Sequence, residues 1–157
     1  MLIGMRGVGK STSAVVLGEK LNWPVFDTDK ILLEQFNKTR IGELHQELGE
    51  ELFRREEVEV LKNLQRAKGS VISVGGGVVV TPLGRKIVQT LGDLICIHLD
   101  KGRLLKRWER LPQFAPKIES FDIWYEERMR YLQMVSATWV DSEKDNWIEE
   151  VVQKYGE

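Results

Sequence analysis

The sequence predicts a three-layer α/β domain in which a parallel sheet is covered by helices on both faces. Two observations lead to this fold class. Short apolar segments typical of buried strands alternate along the chain with segments of helical periodicity. A glycine-rich segment stands between the first apolar stub and the first helical segment, as phosphate-binding loops do in folds of this class. With 157 residues, 42% of them hydrophobic, the chain can bury one good core, so we expect a single domain over residues 1–157.

The first predicted elements are a strand, a loop and a helix. Met1-Leu2-Ile3 is an apolar stub, which makes the first strand very short. Residues 10–21 carry apolar side chains at helical spacing, and Asn22-Trp23-Pro24 ends this helix because the residue before a proline disfavours helical backbone. Val25-Phe26 then forms a second short strand.

The middle of the chain is predicted to be mostly helical. Residues 28–37 and 41–67 carry apolar residues at intervals of three and four, which is the spacing of one helix face. The continuous β-rich run 71–74 forms a third strand and ends at a triple glycine.

The last part of the chain returns to strands. The apolar run 94–99 predicts a fourth strand, and a polar, proline-containing stretch over 101–122 separates it from a helix over 123–136. A short strand at 138–140 and a C-terminal helix from about residue 145 complete the predicted order.

Composition excludes several classes of function. The 23 basic and 24 acidic residues are intermixed and give a net charge of −1, so we expect no nucleic-acid partner. No apolar stretch approaches the roughly 18 residues of a membrane span, and the early glycine-rich segment leaves no room for a signal peptide before it. Cys96 is the only cysteine, so an internal disulfide cannot form. We therefore expect a cytoplasmic monomer without a membrane partner.

Residues 4–12 read G-M-R-G-V-G-K-S-T and match the complete pattern G-x-x-x-x-G-K-[ST]. Glycines let successive backbone N–H groups turn inward, and the following helix adds the positive end of its dipole. Lys10 is expected to reach the terminal phosphates, and the Ser11 hydroxyl is the expected Mg²⁺ ligand. The alternative is a glycine-rich turn without a ligand. The complete spacing favours a nucleotide site formed by Gly7, Val8, Gly9, Lys10, Ser11 and Thr12.

Two carboxylates follow the second predicted strand. Asp27 and Asp29 lie at the edge of an open α/β sheet where ligands bind, so one could face a metal ion and the other a substrate. The alternative interpretation is a helix cap.

Two further patterns follow in the middle of the chain. Arg54 and Glu57 are three residues apart on a predicted helix and share one face, which prepares the arginine to grip a carboxylate. Such a pair can equally be an exposed surface pair. The triple glycine 75–77 removes side chains where backbone must approach a ligand, or simply forms a turn.

Taken in order, these four patterns resemble those of the shikimate kinase family of P-loop small-molecule kinases. The family carries a glycine-rich loop with G-K-[ST], then D-[ST]-D, G-E-x-x-F-R-x-x-E and G-G-G, and this chain shows all four within residues 1 to about 100. The resemblance implies a P-loop kinase fold with a substrate-binding helical region over about 28–62 and a mobile lid over about 106–122.

The resemblance also implies roles for single residues. Lys10 and Ser11 would serve the phosphates and Mg²⁺, Asp27 would bind the metal water, and Asp29 would bind the shikimate hydroxyl that is phosphorylated. The implied substrate-binding residues are Asp29, Arg54, Glu57, Gly75, Gly76, Gly77 and Arg128.

The lid departs from the family pattern. The segment Lys106–Phe114 contains no Arg-Pro pair, and the lid is several residues shorter than usual. Arg107 could pack on the adenine of ATP, and Arg110 could swing toward phosphate and substrate as a catalytic cation. Both could instead be ordinary surface charges.

The predicted reaction is Mg²⁺·ATP-dependent phosphorylation of the shikimate 3-hydroxyl, which gives shikimate 3-phosphate and ADP in aromatic amino acid biosynthesis. The expected catalytic residues are Lys10, Asp29 and Arg110. Two alternatives stay open. One is another P-loop small-molecule kinase, and the other is a regulatory protein that binds nucleotide and shikimate without turnover.

Overall fold

A computed structural model describes residues 1–110, 120–144 and 146–156. The strands are β1 (Leu2–Ile3), β2 (Val25–Asp27), β3 (Val71–Ser73), β4 (Ile95–His98) and β5 (Thr138–Asp141). The α-helices are α1 (Lys10–Leu21), α2 (Thr28–Gln35), α3 (Ile41–Asn63), α4 (Pro82–Thr90), α5 (Lys101–Trp108), α6 (Phe121–Gln133) and α7 (Trp147–Tyr155).

The five strands form one parallel sheet in the order β2-β3-β1-β4-β5. Because β3 and β4 flank β1 on opposite sides, the loop after β1 opens at the middle of the sheet's carboxyl edge, where ligands bind in this class of fold. Asp27 ends β2 in register with Ser73 at the end of β3. The sheet therefore brings the loop, the two carboxylates and the triple glycine to one edge.

The predicted alternation of strands and helices around a parallel sheet is confirmed, and two helices must be added to it. The first is α4, which begins at Thr81-Pro82, where the Thr81 side chain accepts a hydrogen bond from the Gly84 backbone N–H at 3.0 Å. The second is α5. We predicted a polar, proline-containing stretch over 101–122, and its first part, Lys101–Trp108, is this helix. The sequence carried signals for this helix, because Leu104 and Trp108 are four residues apart and Asp100 caps its start by accepting hydrogen bonds from the Gly102 and Arg103 backbone N–H groups.

The predicted helix over 41–67 is interrupted and shorter. At Gly49, φ is 75° and ψ is 164°, and only glycine adopts this conformation without strain. Helix α3 resumes at Glu50 and ends at Asn63, and a 3-10 turn over Leu64–Arg66 follows it.

A main apolar core lies between the sheet and its flanking helices and includes Leu2, Leu17, Val88 and Ile97. A second, smaller cluster holds α2 against α3. Its buried members are Leu32, Leu44, Phe53 and Val60. The helices that carry Asp29, Arg54 and Glu57 are thus anchored by apolar packing of their own.

Residues 111–119 of the predicted lid lie outside the described residues, so its mobility stays a prediction. Within the described part of the chain, no helix is long and apolar enough to cross a membrane.

Candidate active site

A cleft of about 1290 Å³ opens at the carboxyl edge of the sheet. Its walls come from the loop after β1, from α2 and α3, from the triple glycine and from the ends of α5 and α6. The predicted site residues that line it are Gly7, Gly9, Lys10, Ser11, Thr12, Asp27, Asp29, Arg54, Glu57, Gly76, Gly77, Arg107 and Arg128. Three others do not line it, because Val8 and Gly75 are buried behind it and Arg110 is exposed outside it.

The loop after β1 is held open by its glycines. Gly4, Gly7 and Gly9 have φ values of 146°, 87° and 100°, which side-chain-bearing residues rarely adopt. The Lys10 ammonium donates hydrogen bonds of 2.9 Å to the carbonyl oxygens of Gly4 and Met5. Burial lowers the pKa of Lys10 to about 8, while nearby carboxylates act in the opposite direction. Lys10 is still mostly charged at neutral pH, and a buried ammonium at this place fits a site for phosphate.

Ser11 and Asp27 form a pair of oxygen ligands beside the loop. The Ser11 hydroxyl donates to Asp27 Oδ2 at 2.6 Å. The other carboxylate oxygen, Oδ1, accepts hydrogen bonds from the backbone N–H groups of Asp29 and Lys30 and so caps α2. The helix-cap interpretation is therefore correct for one oxygen of Asp27, and the second oxygen faces Ser11. A hydroxyl and a carboxylate fit Mg²⁺, which nucleotide sites hold through one or two protein oxygens.

Asp29 lies in the first turn of α2 and lines the cleft. Burial and the neighbouring charge of Asp27 raise the pKa of Asp29 above its ordinary value, although nearby cations oppose the shift. The adjacent Thr28 hydroxyl accepts a hydrogen bond from the Gly75 backbone N–H at 2.9 Å, which ties the start of α2 to the triple glycine.

Arg54 is held from two sides. Its Nη1 donates to Glu57 Oε2 at 2.7 Å, and its Nε donates to Glu50 Oε1 at 2.8 Å. The side chains of Arg54 and Glu57 are 12% and 4% exposed, so this is a buried pair and not an exposed surface pair. Burial lowers the pKa of Arg54, but the two carboxylates outweigh it and the net shift is upward. Arg54 is therefore a fixed cation in the wall of the cleft.

Glu57 carries a strongly perturbed carboxyl group. Burial raises its pKa to about 7, against the opposing charge of Arg54. The nearby Asp29 raises it further, and Gly75 shows how close these groups are. A β-carbon at Gly75 would lie 2.5 Å from Asp29 Oδ1 and 3.0 Å from Glu57 Oε1. Two acidic side chains thus pack around one backbone position that has no side chain.

Arg128 projects from α6 into the same cleft. Its buried Nη1 has no hydrogen-bond partner among the residues that the structure describes. Burial lowers the pKa of Arg128, and the charge of Arg54 lowers it further, which places the two guanidinium groups within electrostatic reach of each other. A buried N–H group without a partner is costly, so a second arginine beside Arg54 fits a site for an anionic ligand.

The triple glycine provides space and does not require unusual backbone angles. None of Gly75, Gly76 and Gly77 has a positive φ, so the interpretation as a turn that needs left-handed backbone is wrong. A β-carbon at Gly77 would lie 2.6 Å from the Arg54 Cζ, and one at Gly76 would lie 3.2 Å from the Arg6 backbone nitrogen. These glycines make room for the Arg54 guanidinium and for the loop after β1.

At the far side of the cleft, Arg107 on α5 contacts the same loop. Its Nη1 donates to the Gly7 carbonyl oxygen at 3.2 Å, and its Nη2 pairs with Glu143 at 2.9 Å. Glu143 also pairs with Arg103 on the same helix.

Sequence reasoning missed three residues of this region. Arg6 lies inside the glycine-rich motif and lines the cleft. His45, on α3, lines the cleft as well. Glu50 bonds to both His45 and Arg54. The available signals were a charge within the loop motif and an acid four residues before Arg54.

The fold and the site define a nucleotide-binding α/β protein with a phosphate loop and a pair of partly buried arginines in the same cleft. The family model for shikimate kinase matches residues 6–157, and the chain belongs to the shikimate kinase family. The predicted resemblance is thereby confirmed.

Single relatives agree with the family model. The shikimate kinase of Enterococcus faecalis is 36% identical over 107 residues, which are 68% of this chain and 62% of that protein. The shikimate kinase of Prochlorococcus marinus is 35% identical over 133 residues, which are 81% of this chain and 66% of that protein. The chain thus spans slightly less than two thirds of these curated relatives. A solved structure of shikimate kinase from Bacteroides thetaiotaomicron has a TM-score of 0.78 and 28% identity, and covers 98% of this chain and 93% of its own.

Proposed function

We propose that this protein is a shikimate kinase, which transfers the γ-phosphoryl group of Mg²⁺·ATP to the 3-hydroxyl of shikimate. One observation carries the proposal. In the cleft, a buried Arg128 N–H that has no partner among the described residues lies within electrostatic reach of the fixed guanidinium of Arg54. Shikimate is a carboxylate, and it can accept the Arg128 N–H bond beside the fixed positive charge of Arg54.

The nucleotide end of the cleft holds the phosphates. Backbone N–H groups of the loop and the dipole of α1 bind them, and the Lys10 ammonium exchanges its bonds with loop carbonyls for phosphate oxygens. Ser11 and Asp27 would hold Mg²⁺, which would neutralise charge on the phosphate oxygens.

The acceptor end orients the hydroxyl. The arginine pair fixes the carboxylate of shikimate, and Asp29 accepts a hydrogen bond from its 3-hydroxyl. The raised pKa of Asp29 makes this carboxylate a better proton acceptor than an exposed aspartate. Since the transition state of phosphoryl transfer is loose, alignment of the hydroxyl with the γ-phosphorus supplies much of the rate enhancement.

The test measures ADP release with shikimate, shikimate methyl ester and gluconate, and measures the binding of each compound by calorimetric titration. Of the three compounds, we expect only shikimate to be phosphorylated, because the neutral ester cannot bind the arginine pair through a charged carboxylate. Turnover of gluconate would contradict the proposal in favour of another small-molecule kinase. Shikimate binding without ADP release would contradict it in favour of a regulatory binding protein.

Arg128 has a matched control on its own helix, α6. Arg128→Met should abolish shikimate binding, whereas Arg130→Met should not, because Arg130 is exposed on α6 and does not line the cleft. Equal behaviour of the two variants would remove the arginine pair from the site.

A further inference from the structure

Arg6 is a charged residue inside the phosphate loop, and the proposed reaction has not yet used it. Its side chain is half-buried and lines the cleft. Its guanidinium lies over the ring of Trp108, with Cζ 5.8 Å from the ring centroid. Trp108 is the last residue of α5 and stacks against Trp124 of α6 at 4.3 Å between ring centroids. A cation–aromatic contact with a packed indole restricts where this guanidinium can lie.

The charge of Arg6 acts on both ends of the cleft. Burial lowers the pKa of Arg6, and the charge of Asp29 acts in the opposite direction. Burial is the main cause of the lowered pKa of Lys10, and the positive charge of Arg6 lowers this pKa further. The Arg6 guanidinium is therefore within electrostatic reach of both Lys10 and Asp29, and all three residues line the same cleft.

The backbone of Arg6 is also fixed. A β-carbon at Gly76 would lie 3.2 Å from the Arg6 nitrogen and 3.3 Å from the Gly4 carbonyl oxygen, so the loop packs directly on the triple glycine. The base of the Arg6 side chain is therefore held by the loop and the triple glycine, and its tip is held by Trp108.

Two other cations of this region contact other parts of the cleft. Arg54 pairs with Glu57 and Glu50, and Arg107 contacts Gly7 and Glu143. Arg110, the predicted catalytic cation, is exposed and does not line the cleft formed by the described residues.

We propose that Arg6 is a further catalytic residue, whose guanidinium contacts the oxygens of the phosphoryl group as it passes from ATP to shikimate. This inference rests on the proposed function. In that reaction, the bond between the γ-phosphorus and the oxygen bridging to the β-phosphate breaks, and ADP leaves with that oxygen and its electron pair. The 3-hydroxyl oxygen of shikimate bonds to the phosphorus, and its proton passes to Asp29 and then to solvent.

An arginine suits this place for two reasons. It stays charged at every physiological pH, and its planar fork can donate to two phosphoryl oxygens at once. In a loose transition state the charge is spread over the oxygens of the transferred group, so a cation that meets them there stabilises the transition state more than either bound substrate.

The test compares Arg6→Gln, Arg6→Lys and Arg66→Gln. Arg66 is an exposed arginine that does not line the cleft. We expect Arg6→Gln to lower kcat by about 100-fold to 1000-fold, below the full effect of an arginine finger. The Kd values for ADP and shikimate should change by less than about threefold, because the contact forms mainly in the transition state. Arg6→Lys should recover part of kcat, and Arg66→Gln should match the parent.

A binding measurement separates transition-state contact from a structural role. In a complex with Mg²⁺·ADP and shikimate, aluminium fluoride mimics the phosphoryl group in the transition state of the transfer. Arg6→Gln should lose affinity for this ternary mimic by a factor close to its loss in kcat, while ADP and shikimate still bind.

The inference is overturned if Arg6→Gln keeps kcat within about threefold of the parent. It is overturned equally if the ternary mimic binds the variant and the parent alike, or if Arg110→Ala shows the loss while Arg6→Gln does not. A parent protein that binds shikimate but releases no ADP shows instead that the proposed function has failed, and the inference fails with it. Folding of each variant is checked by its thermal unfolding midpoint, and Arg6→Lys carries the test if Arg6→Gln is unfolded.

Discussion

At the nucleotide end of the cleft, the groups proposed to face the ligand are mainly backbone N–H groups and the buried Lys10 from the continuous segment 4–12, joined by Asp27 and Arg107. At the acceptor end they are charged side chains from three helices, α2, α3 and α6. Backbone groups keep their dipoles when a neighbour is changed. In a buried cluster of carboxylates and guanidiniums, the loss of one member leaves another charge uncompensated. The acceptor end should therefore couple ligand binding to stability and to pH, and the nucleotide end should do so much less.

The largest effect is expected from Asp29→Asn. The amide keeps the size of the side chain but cannot take the hydroxyl proton, so turnover should fall by about 10³-fold, while ATP affinity changes by less than about twofold. Steady-state kinetics and ATP titration measure the two quantities. Asp122→Asn is the control, because Asp122 is exposed and pairs with Lys101 away from the cleft. A comparable loss of ATP affinity in Asp29→Asn would show that the two ends of the cleft are not separate.

The arginine pair offers the sharpest contrast within the acceptor end. Arg54→Ala and Arg128→Ala should each weaken shikimate binding by about 2–5 kcal/mol and leave ATP binding nearly unchanged. Their stabilities should differ. Arg54→Ala leaves Glu57 buried without its cation and should lower the free energy of unfolding by about 3 kcal/mol. Arg128→Ala removes a buried N–H group that has no partner within the described part of the chain, and it should not lower the free energy of unfolding.

Denaturant unfolding and calorimetric titration together check this contrast. A shikimate analogue in which a neutral amide replaces the carboxylate serves as the ligand control and should bind the parent and both variants about equally. If the two variants lose the same stability, the structural difference between a paired and an unpaired arginine has no energetic consequence.

Alanine substitutions in the triple glycine should affect the two ends of the cleft differently. Each should weaken the binding of one ligand by about 1–3 kcal/mol, the usual cost of overpacking. A β-carbon at Gly77 overlaps the Arg54 guanidinium, so Gly77→Ala should displace that side chain and weaken shikimate binding. A β-carbon at Gly76 crowds the loop backbone, so Gly76→Ala should weaken ATP binding instead. Neither glycine needs a positive φ, so crowding alone should lower the thermal unfolding midpoint, and more so in Gly77→Ala, where Arg54 is displaced from Glu57. If both variants weaken the same ligand, the triple glycine acts as one unit.

Shikimate binding should also depend on pH. Because burial raises the pKa of Glu57 to about 7, the folded protein holds a proton that the unfolded chain has released above its ordinary value of 4.5. The free energy of unfolding should therefore fall as pH rises from about 4.5 to about 7. Above pH 7 the ionised Glu57 repels the shikimate carboxylate, so affinity should fall on the order of tenfold between about pH 6 and pH 8. In Glu57→Gln, the shikimate affinity should vary less with pH than in the parent. An equal variation with pH in this variant would show that another group causes it.

The two ends also differ in what the sequence could reveal. The nucleotide end is one continuous motif with fixed spacing, so the sequence alone predicts that loop and the helix after it. The Arg54–Glu57 pair follows from a spacing of three on a helix. The break at Gly49 and the approach of Arg128 to Arg54 depend on tertiary packing, and no local pattern encodes them. The cap of α4 at Thr81-Pro82 was a readable signal.

The smallest effect is expected at Arg107, where the nucleotide end meets α5. The side chains of Arg107 and Arg103 are 40% and 59% exposed and share Glu143, and exposed ion pairs contribute at most about 1 kcal/mol, so neither alanine variant should lose much stability. Only Arg107 reaches the loop, through the Gly7 carbonyl oxygen, and only Arg107 lines the cleft. Arg107→Ala should therefore weaken ATP binding by about fivefold, or about 1 kcal/mol, while Arg103→Ala leaves it unchanged. ATP titrations of both variants decide this, with shikimate affinity as the internal reference. If Arg103→Ala weakens ATP binding as much, Glu143 and not the loop contact is responsible. If Arg107→Ala abolishes turnover with ATP affinity intact, Arg107 is the lid cation that the sequence led us to expect at Arg110.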